Sequence, residues 1–287
     1  MRREWKKKVV IAGVSMAVCF TFTGCGVKTD GERGSYTGEI HAYAREEGSG
    51  TRAEFEQLTG TTEAGAKELA ISTEEMREMV AGDETAVGYV AYSSGVIDAV
   101  CDDTFVPVVS INGIPASTET IKKESYPLCR NYLLAYSGEL SDAEADLLRY
   151  IRGAGQEVVG QYCVPVRKTT SFLSDKPAGK MTIRGSSSIA PLMEQLVEDY
   201  SAYNPNADIT VLSTDSGDGL TAAIRGECDL AMSSRSLKDY ETELLDTETI
   251  GMDAIVLIVN GQNPIGDLSL KEVKSIYDGT IKDWSEL

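Results

Sequence analysis

Read for the spacing of its apolar side chains, the chain divides into short runs that alternate apolar and polar residues and longer runs of helical period, following one another in turn. Residues 39–44 (EIHAYA) alternate as a strand does, and 49–58 (SGTRAEFEQL) has helical spacing with acids early. A helix is predicted over 73–81, a strand over 86–92, and a β segment over 105–111 that ends at the turn pair Asn112-Gly113. Residues 132–136 (YLLAY) read as a strand, and 141–152 as a helix with a serine cap and acids in its first turn. Periodicity lapses over 167–180 (RKTTSFLSDKPAGK), where proline and glycine enter, so this stretch reads as a linker. Beyond it the alternation restarts, with strands at 181–185, 208–212, 229–232 and 254–259 and helices at 190–203, 219–225 and 269–277. Regular βα alternation argues an α/β fold with largely parallel sheets. No short-period repeat, heptad run or low-complexity block interrupts it.

Three of the predicted strand-to-helix turns share one design. EEGSGTR (46–52), GSSSIAP (185–191) and TDSGDG (214–219) each combine glycine with serine or threonine and open a predicted helix. A helix N-terminus presents unpaired backbone N–H groups and the positive end of the peptide dipole, so it attracts an anion without a formal cation. Helix capping explains any one of these turns, because Ser, Thr and Asp are favoured N-caps. Three together, with a fourth hydroxyl cluster at 232–235 (MSSR), point to donors that converge at the carboxyl ends of the strands, where open α/β sheets bind ligands. Arg45 offers a bidentate partner for an oxyanion, with Glu46 or Glu47 to hold its guanidinium; the competing reading is a surface ion pair with no ligand.

The first residues carry Arg2, Arg3, Lys6, Lys7 and Lys8 ahead of an apolar run from Val9 to Phe22, which reads as a secretory signal and is shorter than the roughly 20 apolar residues a membrane span takes. The run ends Phe22-Thr23-Gly24-Cys25, a lipobox-like sequence that would lipidate Cys25, with 26–37 as a polar tether. Ordinary cleavage and a retained anchor are the alternatives. The expected location is extracytoplasmic, on the cell membrane through this N-terminal lipid. At 287 residues, and roughly 100–200 residues per domain, the rest of the chain has room for two domains. The formal charge of −18 disfavours nucleic acid and anionic headgroups as partners. Cys101, Cys129, Cys163 and Cys228 are widely spaced with no CxxC pair, so disulfides and free thiols both remain open. With one histidine, His41, and scattered cysteines there is no metal-ligand spacing, and no cofactor is expected.

The set GSSSIAP, TDSGDG, DLAMSSRSL, IVLIVNGQNP, LSLKEVKSIYDGTIKDWSEL, REEGSGTR, AVGYVAY and YPLCRNYLL resembles the phosphate-binding proteins of bacterial phosphate ABC transporters, within the periplasmic-binding-protein superfamily. The resemblance covers nearly everything from Gly38 to Leu287. It implies a two-lobed α/β fold, type II-like, in which the lobes close about a hinge on inorganic phosphate and deliver it to an ABC permease. In the family GSSS opens the mature chain and REEGSGTR follows the WSEL segment; here REEGSGTR comes first and GSSS follows QYCVPV (161–166). The order implies a circular permutation, with 167–180 joining the family's usual termini, or else a product of two tandem half-copies that would pair as a swapped dimer. The implied lobes are 38–126 plus 253–287 (lobe B) and 127–252 (lobe A), after a signal at 1–25 and a tether at 26–37. The implied hinge crossovers lie near 126–133 and 249–254. Carried over by motif, the phosphate contacts fall on Arg45, Ser49, Gly50, Thr51, Ser187, Ser188, Ser216 and Ser234. Some family members place an aspartate where Ser234 stands, to accept the proton of hydrogen phosphate; here a hydroxyl, Glu47 or Asp215 would have to serve.

Two other functions stay in view. One keeps the fold but binds or senses another oxyanion. The other is a serine-dependent hydrolase of phosphate esters, for which a base is needed; only His41 is on offer, and no Gly-x-Ser-x-Gly occurs.

Overall fold

The computed structural model describes residues 36–94 and 106–287; the leader, Cys25, the tether through residue 35, Cys101 and Phe105 lie outside them. In chain order the elements are β1 (His41–Arg45), α1 (Gly50–Thr59), β2 (Glu68–Ala70), α2 (Thr73–Gly82), β3 (Ala86–Ala91), β4 (Val108–Ile111), α3 (Thr118–Lys122), β5 (Cys129–Tyr136), α4 (Asp142–Arg152), α5 (Gln156–Tyr162) and β6 (Val164–Pro165). After residues 166–178 come β7 (Gly179–Ser186), α6 (Ala190–Tyr203), β8 (Ala207–Thr214), α7 (Ser216–Ile224), β9 (Leu230–Ser233), α8 (Asp239–Thr242), β10 (Asp246–Val259), β11 (Asp267–Leu268) and α9 (Leu270–Tyr277).

Local chemistry sets several of these boundaries. α4 and α9 each start at a capping box, Ser141 with Glu144 and Ser269 with Glu272, in which the serine hydroxyl and the glutamate carboxylate satisfy backbone donors reciprocally. α1 starts at Ser49, whose hydroxyl accepts from Arg52 N, and stops at Gly60, which adopts the left-handed φ of 69° that ends a helix cheaply only at glycine.

The apolar faces gather into two main cores. One core packs Phe55, Met76, Tyr89, Ile121, Tyr277 and Trp284 around the strand residues 254–259, with the Phe55 ring stacked on Tyr89 at 4.1 Å and set edge-on to Tyr277 at 4.9 Å. The other packs Tyr132, Leu147, Ile151, Ile183, Met193 and Tyr200. Side chains of this size contribute about 1.5–3 kcal/mol each when fully buried, so each lobe holds a core of its own.

One path of strands runs through both lobes, β2-β1-β3-β10-β5-β9-β7-β8. β1 pairs in parallel with β2 and β3, and β7 pairs in parallel with β8 and β9. The expectation of largely parallel sheets fails in between: β10 is antiparallel to β3, β4, β5 and β6, and β5 is antiparallel to β9. β10 extends over 14 residues, well beyond the apolar run at 254–259, and changes partners along its length. Its first part pairs with β5 through Ala254↔Cys129, with a register shift between Thr249 and Gly251, and its last part pairs with β3 and β4. β5 and β10 therefore cross between the lobes side by side.

Smaller differences from the periodicity have simple causes. α5 (QEVVGQY) carries too few apolar positions for a helical stripe, yet buries Gln156, Val158 and Val159 against its neighbours. The β segment expected at 105–111 is strand only from Val108, and α7 begins at Ser216 instead of 219 because Asp215 caps it, accepting from Asp218 N. The linker ends at residue 178, where β7 begins, and it is tied down: Ser174 Oγ donates to the buried Asp146, Asn204 Nδ2 donates to Pro177 O, and Phe172 packs edge-on to Tyr150. At the other side of the molecule Trp284 N donates to Gly38 O at 3.0 Å and Ile40 N to Lys282 O at 2.8 Å. Among the described residues no helix is long and apolar enough to cross a membrane, and Cys129, Cys163 and Cys228 are free thiols.

Candidate anion-binding site

The three hydroxyl-rich turns meet where the lobes face one another. α1 brings Gly50 and Thr51 as its first two residues, so their N–H groups have no partner within the helix. α7 begins at Ser216, and Ser234 directly follows β9. Gly50 packs so closely on this pair that a Cβ there would stand 2.1 Å from Ser216 Oγ and 2.7 Å from Ser234 Oγ. Only glycine permits that approach. Thr51 Oγ1 lies 3.1 Å from Ser188 Oγ in the turn before α6.

Behind these contacts the hydroxyls are wired together. Ser234 N donates to Ser216 Oγ at 3.1 Å, Ser186 Oγ donates to Ser234 Oγ at 2.9 Å, and the Ser216 and Ser234 oxygens are 3.4 Å apart. Each bond that a hydroxyl accepts occupies one lone pair and leaves its own proton for another acceptor. Ser216, Ser233 and Ser234 are almost fully buried. Gly185 makes this possible on the β7 side: its φ of 136° and the 2.3 Å that would separate a Cβ from Met232 O let the backbone of the serine turn approach β9.

Arg45, at the end of β1, is 1% exposed, and its guanidinium forms a two-pronged pair with Glu46, Nε to Oε2 at 2.8 Å and Nη2 to Oε1 at 2.9 Å. Glu46, and not Glu47, holds the guanidinium; Glu47 lies exposed on the turn. Asp215 is used as the α7 cap, and its carboxylate packs against Gly48, where a Cβ would lie 3.1 Å away. Ser49 is the α1 cap. Ser187 is exposed and lines two clefts between the lobes. One, of about 370 Å³, also reaches Ser72, Ser93, Tyr132 and Ser188; the other, of about 550 Å³, reaches Glu46, Glu74, Glu194 and Asp215. Arg235, next to Ser234, is forked onto Glu241 at 2.7 and 2.8 Å and is held away from the hydroxyls.

The guanidinium that touches the hydroxyl cluster belongs to Arg130, which sequence reasoning did not single out. Arg130 Nη1 donates to Thr51 Oγ1 at 2.8 Å and to Ser234 O at 3.3 Å, while Nε and Nη2 bind Asp253 Oδ2 at 2.9 and 2.7 Å. Formal charge in the site is thus balanced twice, Arg45 by Glu46 and Arg130 by Asp253. What remains directed at the centre is a set of N–H and O–H dipoles suited to a small oxyanion.

A family model described as the PBP superfamily domain matches residues 5–151 and 170–287. The chain belongs to the PBP superfamily. Phosphate-binding protein PstS 2 of Streptococcus pneumoniae serotype 4 is 30% identical over 297 residues, covering 99% of both chains. Phosphate-binding protein PstS 2 of Streptococcus agalactiae serotype V is 33% identical over 268 residues, covering 88% of this chain and 89% of its own. The crystal structure of a phosphate ABC transporter phosphate-binding protein from S. pneumoniae TIGR4 superposes with a TM-score of 0.72 at 30% identity, covering 87% of this chain and 99% of that one. The two-lobed solute-binding fold expected from the sequence is therefore the fold of this PBP.

A second layer supports α1 in the PBP site. Arg52 Nη1 donates to Arg45 O at 3.0 Å, and Arg52 Nε lies 2.9 Å from the carboxylate of Glu63, whose side chain is fully buried. Burial pushes the Glu63 carboxyl up to about 7, against the opposing pull of the Tyr89 hydroxyl and the Arg52 charge. Glu54 on α1 crosses to the other lobe and accepts from Ser236 N at 2.8 Å. His41 sits at the far end of β1, about 13 Å along the strand from Arg45 at 3.3 Å per residue. Its ring nitrogens are occupied by Asp83 and Lys67.

Proposed function

We propose that this protein is an extracytoplasmic solute-binding protein that captures inorganic phosphate between its two lobes and delivers it to an ABC permease, held at the membrane by a lipid on Cys25. The observation that carries the reading is the meeting of Gly50 and Thr51 from one lobe with Ser188, Ser216 and Ser234 from the other. Such a cage of backbone amides and hydroxyls suits an oxyanion, and the relatives named for phosphate binding support phosphate as that anion. The paired guanidinium of Arg45, at the end of the strand that leads into α1, belongs to the proposed site as well. Ser49, Ser187 and Asp215 complete the proposed site as cap, cleft wall and cap. Hydrolysis has little support, because His41 is committed to Asp83 and Lys67. Isothermal titration of the mature protein with phosphate should give saturable heat at one site per chain; a folded protein that shows none overturns the proposal.

A second reading, an oxyanion other than phosphate, draws on one observation. Three carboxylates around the cage already carry partners, Asp215 through Oδ1 as the α7 cap, Glu46 on Arg45 and Asp253 on Arg130, and none stands at the Ser234 position. The acceptor for the proton of hydrogen phosphate therefore falls to a hydroxyl or to the second oxygen of Asp215. Competition by sulfate, arsenate and molybdate in the same titration ranks the candidates. Sulfate equal to phosphate would favour this second reading.

We also propose the lobe division 38–126 plus 253–287 against 127–252, and a permuted segment order. The end-to-end match with the S. pneumoniae relative means that its segment order is the same. The hydrogen bond between Trp284 N and Gly38 O supports a former continuous loop at that point. A chain joined from Leu287 to Gly38 and opened within 167–178 should fold and bind phosphate as the natural chain does. Failure of the rejoined chain to fold would count against the permutation.

A further inference from the structure

Resting on the phosphate reading above, we propose that Arg130 is the positioning residue of this protein, a buried guanidinium that ties the crossing strands to both halves of the anion cage at once. Its side chain and that of its partner Asp253 are both 0% exposed. The two residues face one another directly in the antiparallel register of β5 and β10, the strands that cross between the lobes. Asp253 takes two prongs of the guanidinium on one oxygen and fixes the other by accepting from Ser93 N at 2.9 Å. The third guanidinium nitrogen is thereby aimed forward, where it reaches Thr51 Oγ1 in lobe B and the Ser234 carbonyl in lobe A. Tyr132 closes the rear: its ring centroid is 5.3 Å from Arg130 Cζ, its hydroxyl accepts from Nη2 at 3.4 Å, and it bonds Ser93 Oγ.

Two consequences follow for binding. Thr51 accepts from Arg130, so its own proton turns toward Ser188 or an anion in the cage, and the hydroxyl becomes an oriented donor. Because one nitrogen serves both lobes, this orientation is complete only when Thr51 and Ser234 stand on either side of it, which makes lobe closure and donor alignment a single step. A lysine cannot replace it, since one ammonium cannot hold Asp253 in a fork and still reach both lobes.

The test is a double-mutant cycle on phosphate affinity using Arg130→Lys and Thr51→Val, with far-UV circular dichroism to show that the variants are folded. Each single change should weaken phosphate binding about 10- to 100-fold, and the double variant should be no weaker than the worse single one. Thr51→Ser, which keeps the hydroxyl, should bind phosphate more tightly than Thr51→Val when Arg130 is present and lose that advantage beside Arg130→Lys. Losses that simply multiply, or an Arg130→Lys protein that binds as wild type, overturn the proposal. If Arg130→Lys fails to fold, Asp253→Glu takes its place in the cycle, since it keeps the charge and displaces the fork. A wild-type protein that binds no phosphate defeats the functional reading and not this one. In that case small-angle X-ray scattering without ligand decides: Arg130→Lys should enlarge the radius of gyration, and an unchanged radius overturns the proposal.

Discussion

The hydroxyl oxygens of Thr51 and Ser188 stand 3.1 Å apart although 137 positions separate them in the chain. Thr51 rides on the first turn of α1 in lobe B and Ser188 on the turn before α6 in lobe A, so the contact forms only when the lobes meet. On the proposed closure, the lobes' approach and the assembly of the hydroxyl cage are the same movement, so a substitution that blocks one should block the other.

Gly50→Ala makes the cleanest block. The added methyl would collide with Ser216 and Ser234, and overpacking of this kind costs ~1–3 kcal/mol, about 5- to 150-fold in affinity. The cost is relieved when the lobes part, so the thermal midpoint without phosphate should stay within a degree or two of wild type while the rise on adding phosphate shrinks. Calorimetric titration beside thermal melting checks both; an unchanged affinity would mean that the lobes bind phosphate without approaching this closely.

Ser216→Ala should behave differently, because Ser216 Oγ accepts from the buried Ser234 N. Leaving that donor unpaired costs ~1–3 kcal/mol, so both the ligand-free melting midpoint and the phosphate affinity should fall, the latter about 10-fold. Retained stability with lost affinity would show that Ser234 N finds another acceptor.

Glu63 gives the protein a signed pH dependence. Burial raises its folded carboxyl to about 7 from the usual 4.5, so the folded state holds the proton more tightly than the unfolded state does. The stability this contributes is fully present below pH 4.5 and is lost as pH rises through 7, up to about 3 kcal/mol. Glu63→Gln should therefore be more stable than wild type at pH 8, with the gap closing toward pH 4.5. Urea unfolding at several pH values measures it, and parallel curves would refute it.

Asp146→Ala should loosen the 167–178 segment. The carboxylate accepts from Ser174 Oγ at 2.5 Å and Tyr200 OH at 2.6 Å and also pairs with Arg149, so its loss leaves buried donors and should cost about 2–3 kcal/mol. Limited proteolysis should then cut near Phe172 sooner, while phosphate affinity at a temperature below melting stays within about twofold.

What the sequence made legible is what is local in it. REEGSGTR, GSSS and TDSGDG each hold strand end, turn and helix start within a few residues, so their geometry is largely dictated by their neighbours in the chain. Strand direction is another matter: alternation of apolar side chains is identical in parallel and antiparallel pairs, which is why the expectation of parallel sheets fails at β5 and β10. The Arg130–Asp253 pair is invisible for a related reason. It depends on a register between residues 123 positions apart, and Arg130 falls ahead of 132–136, the stretch whose apolar pattern reads as strand. The lone acid before AIVLIV was the one available sign, a charge at the edge of a buried run that needs a buried partner. Glu46 and Glu47 have the same chemistry and adjoining positions, and only the turn that begins at Glu47 separates the acid that reaches Arg45 from the one that faces solvent.

β10 donates residues 254–259 to one core and Ile250 to the other without a break in the strand. Neither half can melt and leave its neighbour whole, because loosening either end strips partners from the other. A scanning calorimeter should accordingly record one heat-absorption peak for the whole chain, not a pair, and refolding should wait on the placement of this single segment before either half gains protection from hydrogen exchange.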